Sequence, residues 1–397
     1  MISVAKALKL VTQNVMPLPV ERIALSASVG RILAKPIVAD SDLPPFDRSQ
    51  MDGFAVRSKD TTNAPVELKI VGESAAGHGW HHELKRGEAV RIMTGAPVPI
   101  GSDSVMRVEL TNETNDVVTI HEAVKKGTSI VKRGAEIKSG KVVFKGGERI
   151  TENMIASLAS FGYAKIEVAR SPRVAILATG SEIVDIAKKP KRDQIRNSNS
   201  VMLDVLCRKF GSTTMVMPIA KDDISDLKLQ ISTATKSSDI VIITGGVSVG
   251  KYDLTKAALN ELGAEIYFEK VALKPGKPTV FGRLGKTLVF GLPGNPVSSA
   301  VAFHLLVQVA ILKLQSASSS KSLTGIAILE VRAKAAHDRD TYIPASVSSD
   351  DSGRLIASTL RSQGSSDFIG FARADALVFI PMGERREAGD IVEILYI

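Results

Sequence analysis

The stretch Ser171-Pro172-Arg173-Val174-Ala175-Ile176-Leu177-Ala178-Thr179-Gly180-Ser181-Glu182 decides the fold. Its centre is apolar on both faces, as a strand buried between two layers must be, and it ends in a Gly-Ser turn. The same grammar repeats downstream. Residues 199–211 read as a helix capped by Asn199 or Ser200 and stopped by Gly211, 215–218 as a strand, and 223–236 as a helix. Asp239-Ile240-Val241-Ile242-Ile243-Thr244 is a second apolar strand, running into Gly245-Gly246. Asp253 or Leu254 opens a helix over 255–262, and 265–271, 279–281 and 287–290 are further strands. Pro296, at the first helical position, begins a long helix to Leu314. Strands of this kind alternating with helices predict a three-layer, mostly parallel sheet over 171–315.

Working outward, the pattern changes on both sides. Val4, Ala5, Leu8 and Val11 fall on one face of an opening helix, which Leu18-Pro19-Val20 breaks. Short strands then follow at 66–71, 89–93, 105–110, 117–120 and 141–143, divided by Gly, Pro and Asn-rich pieces. Helix returns over 147–162, with Thr151 as cap and Ile155, Leu158 and Ala159 as its stripe. Leaving helix, building strands and returning to helix predicts a discontinuous helical domain of residues 1–27, 45–58 and 146–170, to which the family resemblance given below adds a dimerisation role. A strand-rich insert of 28–44 and 59–145 is expected to project from it, with the early and later helices packed together. After the serine-rich linker 315–321, short strands at 325–333, 341–347, 354–359, 376–380 and 391–397 predict a C-terminal β-barrel over 322–397. The fold class is therefore multidomain, α+β with α/β.

Composition narrows the partners. The 397 residues carry a net charge of +9, which suits small anionic ligands as well as nucleic acid or acidic membranes. Nucleic-acid sites usually add stacking aromatics to a basic patch, and the densest run, Lys188-Lys189-Pro190-Lys191-Arg192, has none beside it. A solvated loop is the plain reading of that run, and neither nucleic acid nor membrane is expected as a partner. The longest apolar stretch, 297–314, holds His304, Gln308 and Lys313, a pattern for a buried helix rather than a membrane span. Cys207 is the only cysteine, so no internal disulfide forms and the cytoplasm is the expected compartment.

Ligands of parallel sheets bind beyond the carboxyl ends of the strands. Four loops fall there: 179–182, 244–253, Leu273-Lys274-Pro275-Gly276-Lys277-Pro278, and Gly291-Leu292-Pro293-Gly294-Asn295-Pro296. Gly245, Gly246 and Gly250 allow the backbone to approach a ligand, Ser248 adds a hydroxyl, and Lys274 and Lys277 flank a tight turn with two ammonium groups. The helix from Pro296 offers unpaired N–H groups to an anion. Glu182, Asp222, Asp223 and Asp253 stand against these, a mixture that Mg²⁺ between carboxylate and phosphate oxygens would reconcile. Each feature has a plain alternative: a Gly-Gly turn, a helix cap at Asp222-Asp223, an exposed turn at Lys274–Lys277. Their shared sheet end favours a site. Neither a Gly-x-x-x-x-Gly-Lys-Ser/Thr loop nor a Gly-x-Gly-x-x-Gly fingerprint is present. His78, His81 and His82 read as a surface loop with Trp80. Upstream, Asp42-Leu43-Pro44-Pro45-Phe46-Asp47 through Met51-Asp52-Gly53-Phe54-Ala55-Val56 is a rigid, then polar segment, and Arg91-Ile92-Met93-Thr94-Gly95-Ala96 sets Thr94 in a turn.

These last two segments, with Ala178–Glu182, Thr244–Gly250, Lys274–Pro278 and Gly291–Pro296, resemble the MoeA family of molybdopterin molybdenumtransferases, to which the C-terminal part of gephyrin is related. Arg361-Ser362-Gln363-Gly364-Ser365 supports the match in the barrel. The resemblance implies insertion of molybdate into adenylated molybdopterin with release of AMP and a requirement for Mg²⁺. A non-catalytic pterin-binding scaffold is the alternative it permits. It implies that Asp52, Thr94, Glu182, Asp222 or Asp223, and Asp253 are the functional polar residues, and Lys270, Lys274 and Lys277 the basic ones. Thr179, Gly180, Gly245, Gly246, Ser248, Gly250, Pro293 and Asn295 are then pterin-binding, with Arg91 helping to guide the oxyanion. Metal ligands are expected among Glu182, Asp222, Asp223 and Asp253. The family's subunits form an elongated homodimer in which the partner's second domain faces the cleft. Transient contact with the molybdopterin adenylyltransferase and with downstream molybdoenzyme chaperones is also implied. Four positions depart from the family pattern: Glu136 and Asn197 each stand where Asp is usual, and Lys251 and Gln50 stand where other residues are more usual.

Overall fold

The computed structural model describes residues 1–246, 254–320, 322–360, 364 and 366–397. They form two compact units. One comprises Pro36–Lys145 with Ala156–Ala164; the other comprises Met1–Lys35, Gly146–Ile155 and Lys165–Ile397.

The smaller unit is built on a six-stranded sheet. Its order is Ser104–Arg107, Gly53–Val56, Glu88–Ile92, Val66–Ser74, Val117–Ile120 and Thr111–Thr114. Alternation divides Gly53–Val56 between two cores. Phe54 and Val56 join Leu68, Met106, Val118 and Ile120 on one face, while Ala55 joins Val90, Ile92 and Val105 on the other. Gly53 has φ +154°, and a Cβ there would lie 1.9 Å from the Met106 carbonyl oxygen, so only glycine fits beside the neighbouring strand. Segment 45–58, expected with the helical domain, therefore contributes a strand in the middle of this sheet.

The larger unit contains the α/β layer. Its sheet runs Thr213–Val216, Arg173–Ala178, Ile240–Thr244, Thr287–Leu292, Val280–Leu284, Glu265–Phe268. The first four strands are parallel, and Val280–Leu284 runs antiparallel to both of its neighbours. Val174, Ile176, Ile240 and Ile242 face one side, packed with Leu203 and Cys207 of helix Ser198–Lys209 and with the long helical rod Pro296–Leu314. Ala175, Leu177, Val241 and Ile243 face the other, against Leu227 and Ile231 of helix Ile224–Thr235 and Ala258 and Leu259 of helix Leu254–Glu261. Period-two burial on both faces produces the three layers that the sequence predicts.

Several elements differ from expectation for local reasons. Helix Ser198–Lys209 is capped slightly earlier, by Asn197, whose side chain accepts from the Ser200 N–H. The helix expected over 147–162 is Met154–Ser160, because the preceding backbone pairs instead: Gly147 N–H donates to the Leu33 carbonyl at 2.7 Å and Ile150 N–H to that of Arg31 at 2.9 Å. The opening helix, Val4–Gln13, buries Val4, Ala7 and Val11 in the α/β core; Ala5 lies on its exposed side. Its packing partner within this unit is the long rod.

That rod starts as α-helix at Pro296–Ala302, widens to a π-turn over Phe303–Val307 and resumes as Gln308–Leu314. Among the described residues it is the one helix long and apolar enough to cross a membrane, and 94% of it is buried inside the protein. The C-terminal segment closes a five-stranded barrel: Asp340–Ser349, Leu355–Thr359, Thr324–Leu329, Ile391–Tyr396 and Ala376–Ile380, the last pairing back to the first. Leu273–Lys274 pairs with Asp340 and Thr341, joining the third candidate loop to the barrel.

His304, on the π-turn, is 3% exposed and its Nδ1 lies 3.1 Å from Gln308 Oε1. Burial pushes its pKa down from 6.5 to about 4. The unfolded chain binds this proton first, so stability is intact above pH 6.5 and declines as pH falls towards 4. Denaturant titrations across that window are expected to show the decline, and His304→Gln, which keeps a polar partner for Gln308, is expected to flatten it.

Candidate functional site

In the α/β layer the chain leaves Arg173–Ala178 for the strand on one side, then returns to Ile240–Thr244 on the other. Loops diverge at such a switch point and leave a crevice above the strand ends. The crevice here is a cavity of about 760 Å³. Thr179, Glu182, Thr244, Gly245, Asn199 and Asn295 are among its lining residues.

Its floor is stitched together by Asn199. The buried Nδ2 donates to Thr244 Oγ1 and to the Gly294 carbonyl, both at 2.8 Å, tying the second loop to the fourth. Asn199 Oδ1 has no partner among the described residues. Gly245 turns with φ +92°, and a Cβ on it would stand 2.3 Å from the Thr179 carbonyl oxygen. The first and second loops therefore touch at backbone distance. Sequence reasoning places Asn199 only as a possible cap; the signal for its role is its Ser-Asn-Ser setting between two glycine-containing loops.

The acids divide their work. Asp222 accepts the Ser181 N–H at 2.8 Å and the Thr179 hydroxyl at 3.5 Å, holding the first loop in place. Asp223 caps helix Ile224–Thr235 by accepting the Asp226 N–H at 2.9 Å. Glu182 is exposed, and its carboxylate folds over Gly180, where a Cβ would meet Oε2 at 2.5 Å. No group of three His, Cys, Asp or Glu side chains able to hold a metal forms among the described residues. The expected set of Glu182, Asp222 and Asp223 thus does not converge on one point, because two of its members already accept backbone donors. Ser248, Gly250, Lys251 and Asp253 lie outside the described residues, as do Arg361, Ser362, Gln363 and Ser365.

The third loop lines a second cavity of about 530 Å³ with the barrel. Lys274, Lys277, Lys334 and Arg339 stand in its wall, with Pro293, Tyr342 and Phe371. Asn295 lines both cavities. Four cations converge from two parts of this unit, of which two, Lys334 and Arg339, are not singled out by the sequence. Lys270 lines neither cavity; its carbonyl accepts the Ile2 N–H at 3.0 Å. The basic run 188–192 belongs to a flap over 183–196, and its Pro190 lines the first cavity.

In the smaller unit, Asp52 and Thr94 meet as a pair. Thr94 donates to Asp52 Oδ1 from its backbone N–H at 2.7 Å and its hydroxyl at 3.0 Å. These bonds, the backbone one first, hold the Asp52 carboxyl below its ordinary value of 3.8. Arg91, expected to guide an oxyanion, is instead engaged by Glu113, whose two carboxylate oxygens accept from its Nε at 3.0 and 3.1 Å. The segment bearing Asp52 is fastened upstream by Asp42–Arg133 and Asp47–Lys132, each 2.6 Å, and by Arg48–Glu136 at 2.9 Å.

With this geometry in hand, three family models align along the chain. The MoeA N-terminal region (domain I and II) matches residues 2–162, the probable molybdopterin binding domain 175–313, and the MoeA C-terminal region (domain IV) 327–397. The chain belongs to the MoeA family. A relative from Staphylococcus epidermidis named molybdopterin molybdenumtransferase is 34% identical over 400 residues, covering 99% of this chain and 95% of its own. One of the same name from Bacillus subtilis is 35% identical over 386 residues, covering 95% and 90%. A solved MoeA structure from Pyrococcus horikoshii superposes with TM-score 0.87 at 29% identity, covering all of both chains. The MoeA architecture thus accounts for both units and the barrel.

The Asp52–Thr94 pair carries a direct test. Thr94→Val keeps the backbone donor and removes the hydroxyl, so the Asp52 carboxyl should titrate closer to 3.8 than it does in the unaltered protein. Carboxyl NMR against pH reads the change; an unmoved titration would mean the hydroxyl bond is absent in solution.

Proposed function

We propose that this chain inserts molybdate into adenylated molybdopterin and releases AMP. The observation that carries the reading is the pair of adjoining cavities sharing Asn295, one at the sheet's switch point and one lined by four cations. A substrate with a pterin, a phosphoanhydride and a nucleotide is long and anionic, and needs both a crevice and a basic wall. The identity to the molybdenumtransferases over nearly the whole chain supports the same activity.

The chain's own groups have separable tasks in it. Unpaired backbone N–H groups at the start of the helix beginning at Pro296 face phosphate oxygens without reorganising, while Gly245, whose N–H is held by the Leu292 carbonyl at 3.2 Å, lets the backbone come close to the ligand. Lys274, Lys277, Lys334 and Arg339 draw the oxyanion and the phosphates into the second cavity, and their field speeds capture. Asp222 keeps the Thr179–Ser181 turn open by holding its amide, so it positions rather than reacts. The Asp52–Thr94 pair presents an ionised carboxylate with a fixed orientation, suited to handling molybdate as the two dithiolene sulfurs replace an oxygen that takes up their protons and leaves as water.

Mg²⁺ is usually held by one or two carboxylates together with phosphate oxygens. Glu182 fits that requirement, because its exposed carboxylate lies over Gly180 in the cavity wall, and a bound Mg²⁺ would neutralise phosphate charge as AMP departs. A homodimer acting in the cytoplasm, with transient contacts to the adenylyltransferase and to molybdoenzyme chaperones, completes the proposal.

Glu182→Gln and Asp52→Ala are each expected to lower molybdate-dependent AMP release by about a hundredfold or more, a loss typical of groups acting on developing charge, with unfolding midpoints unchanged. Chelation of divalent metal should have a comparable effect, reversed by Mg²⁺. Normal AMP release in both variants would overturn the assignment, and tight pterin binding without any release would favour a scaffold.

A further inference from the structure

The outer half of the first cavity holds side chains that a phosphate site does not call for. Ile186 and Ile195, on the flap, are 51% and 57% exposed, and Phe368, on one turn of helix in the barrel, is 50% exposed. All three line the same cavity. Large apolar groups left in water together mark a surface that a ligand covers.

Neither wall is loose. On the flap, Ile183–Val184 pairs with Ile195–Arg196, the Ile195 N–H donates to the Glu182 carbonyl at 2.8 Å, and Arg196 Nε reaches the Ile186 carbonyl at 3.0 Å. On the barrel, Asp367 caps the turn Phe368–Phe371 by accepting the Gly370 N–H at 3.0 Å, and that turn packs on helix Pro296–Ala302. Polar groups of Gln194, Arg196 and Ser366 border the apolar ones, and Thr179, Thr244 and Gly245 lie in the same lining.

Apolar faces with a polar border match a flat, fused nitrogen heterocycle, whose faces are apolar and whose edges carry donors and acceptors. A sugar or an oxyanion would leave the isoleucines and the phenylalanine in water. We propose that Ile186, Ile195 and Phe368 form the slot for a fused bicyclic ring of the substrate, so that the barrel supplies a specificity residue to the α/β cavity. This rests on the functional reading above, whose substrate carries two such rings, adenine and pterin.

Calorimetric titration of the full chain with AMP, with ribose 5-phosphate and with a simple pterin tests the slot. Phe368→Ala is expected to weaken a ring-bearing ligand by about tenfold, the order expected for loss of one stacking face, and to leave ribose 5-phosphate unchanged. Phe368→Trp should restore binding, and loss confined to AMP or to the pterin identifies which ring occupies the slot. In turnover, the same variant should raise KM for adenylated pterin more than it lowers kcat. Equal losses for AMP and ribose 5-phosphate, or no loss for either ring, would overturn the slot. Molybdate-dependent AMP release by the unaltered protein together with an unchanged KM in Phe368→Ala sinks the slot alone. Ring-selective loss in a protein that never releases AMP keeps the slot and sinks the functional reading.

Discussion

The amide of Asn199 is the contact on which the first cavity depends. Its two donated bonds fix the end of strand Ile240–Thr244 to the turn before helix Pro296–Ala302. Beside them, among the described residues, stand the Gly245 N–H bond to the Leu292 carbonyl at 3.2 Å and the longer Thr244 hydroxyl contact to the Pro293 carbonyl at 3.4 Å. The arrangement carries a cost, because Asn199 Oδ1 is buried without a partner among the described residues, and such a group typically costs about 1–3 kcal/mol. A smaller side chain would remove the cost and the bridge together. Strain or unsatisfied polarity kept at a ligand-bearing strand end is the usual exchange of stability for a preformed site.

Electrostatics explain why so few of the acids remain available. Of the carboxylates gathered near the first loop, Asp222 and Asp223 accept backbone N–H groups, one to shape a turn and one to start a helix. Both jobs fix one carboxylate oxygen on a backbone donor. Glu182 is different because its longer chain folds back over Gly180 into the cavity wall, which only a residue without Cβ allows. The cations show the opposite economy. Lys274 and Lys277 come from one turn, Lys334 and Arg339 from the barrel, and the pairing of Leu273–Lys274 with Asp340–Thr341 brings them to one wall. A positive surface assembled from two parts of the fold favours anions over everything else.

Much of this architecture is legible in the amino-acid sequence. Strands apolar on both faces predict the three layers, and within that α/β layer the observed ends differ by only a few residues from those expected. Polypeptide periodicity reports burial, and burial there alternates cleanly between Ala175 and Ile176 or Val241 and Ile242. The missing pieces are contacts between distant residues. Nothing local in Arg91 announces Glu113, and nothing in Asp222 announces the Ser181 amide 41 residues earlier. The helix expected over 147–162 loses its first turns to strand-like pairing with 31–33, a tertiary preference that outweighs a helical stripe. Phe368 escapes notice for the same reason: an isolated aromatic in a turn gains meaning only when an isoleucine flap shares its cavity.

Two of the positions that depart from the family pattern, Asn197 and Glu136, show how local geometry can be kept through a substitution. Asn197 lacks the charge of Asp, yet its side-chain oxygen still accepts the Ser200 N–H, so helix Ser198–Lys209 starts where Asn199 must be presented. Asn and Asp cap helices about equally well, and the cap needs an acceptor rather than a charge. Glu136 keeps the charge and lengthens the arm, and it meets Arg48 at 2.9 Å in an exposed pair. Exposed pairs contribute little energy, typically under about 1 kcal/mol, and the flexible aliphatic stem of Arg48 can take up the extra methylene. What must be kept at both positions is the geometry of a neighbour, Asn199 in one case and the segment leading to Asp52 in the other. Substitutions that preserve an acceptor at the right atom leave that geometry intact.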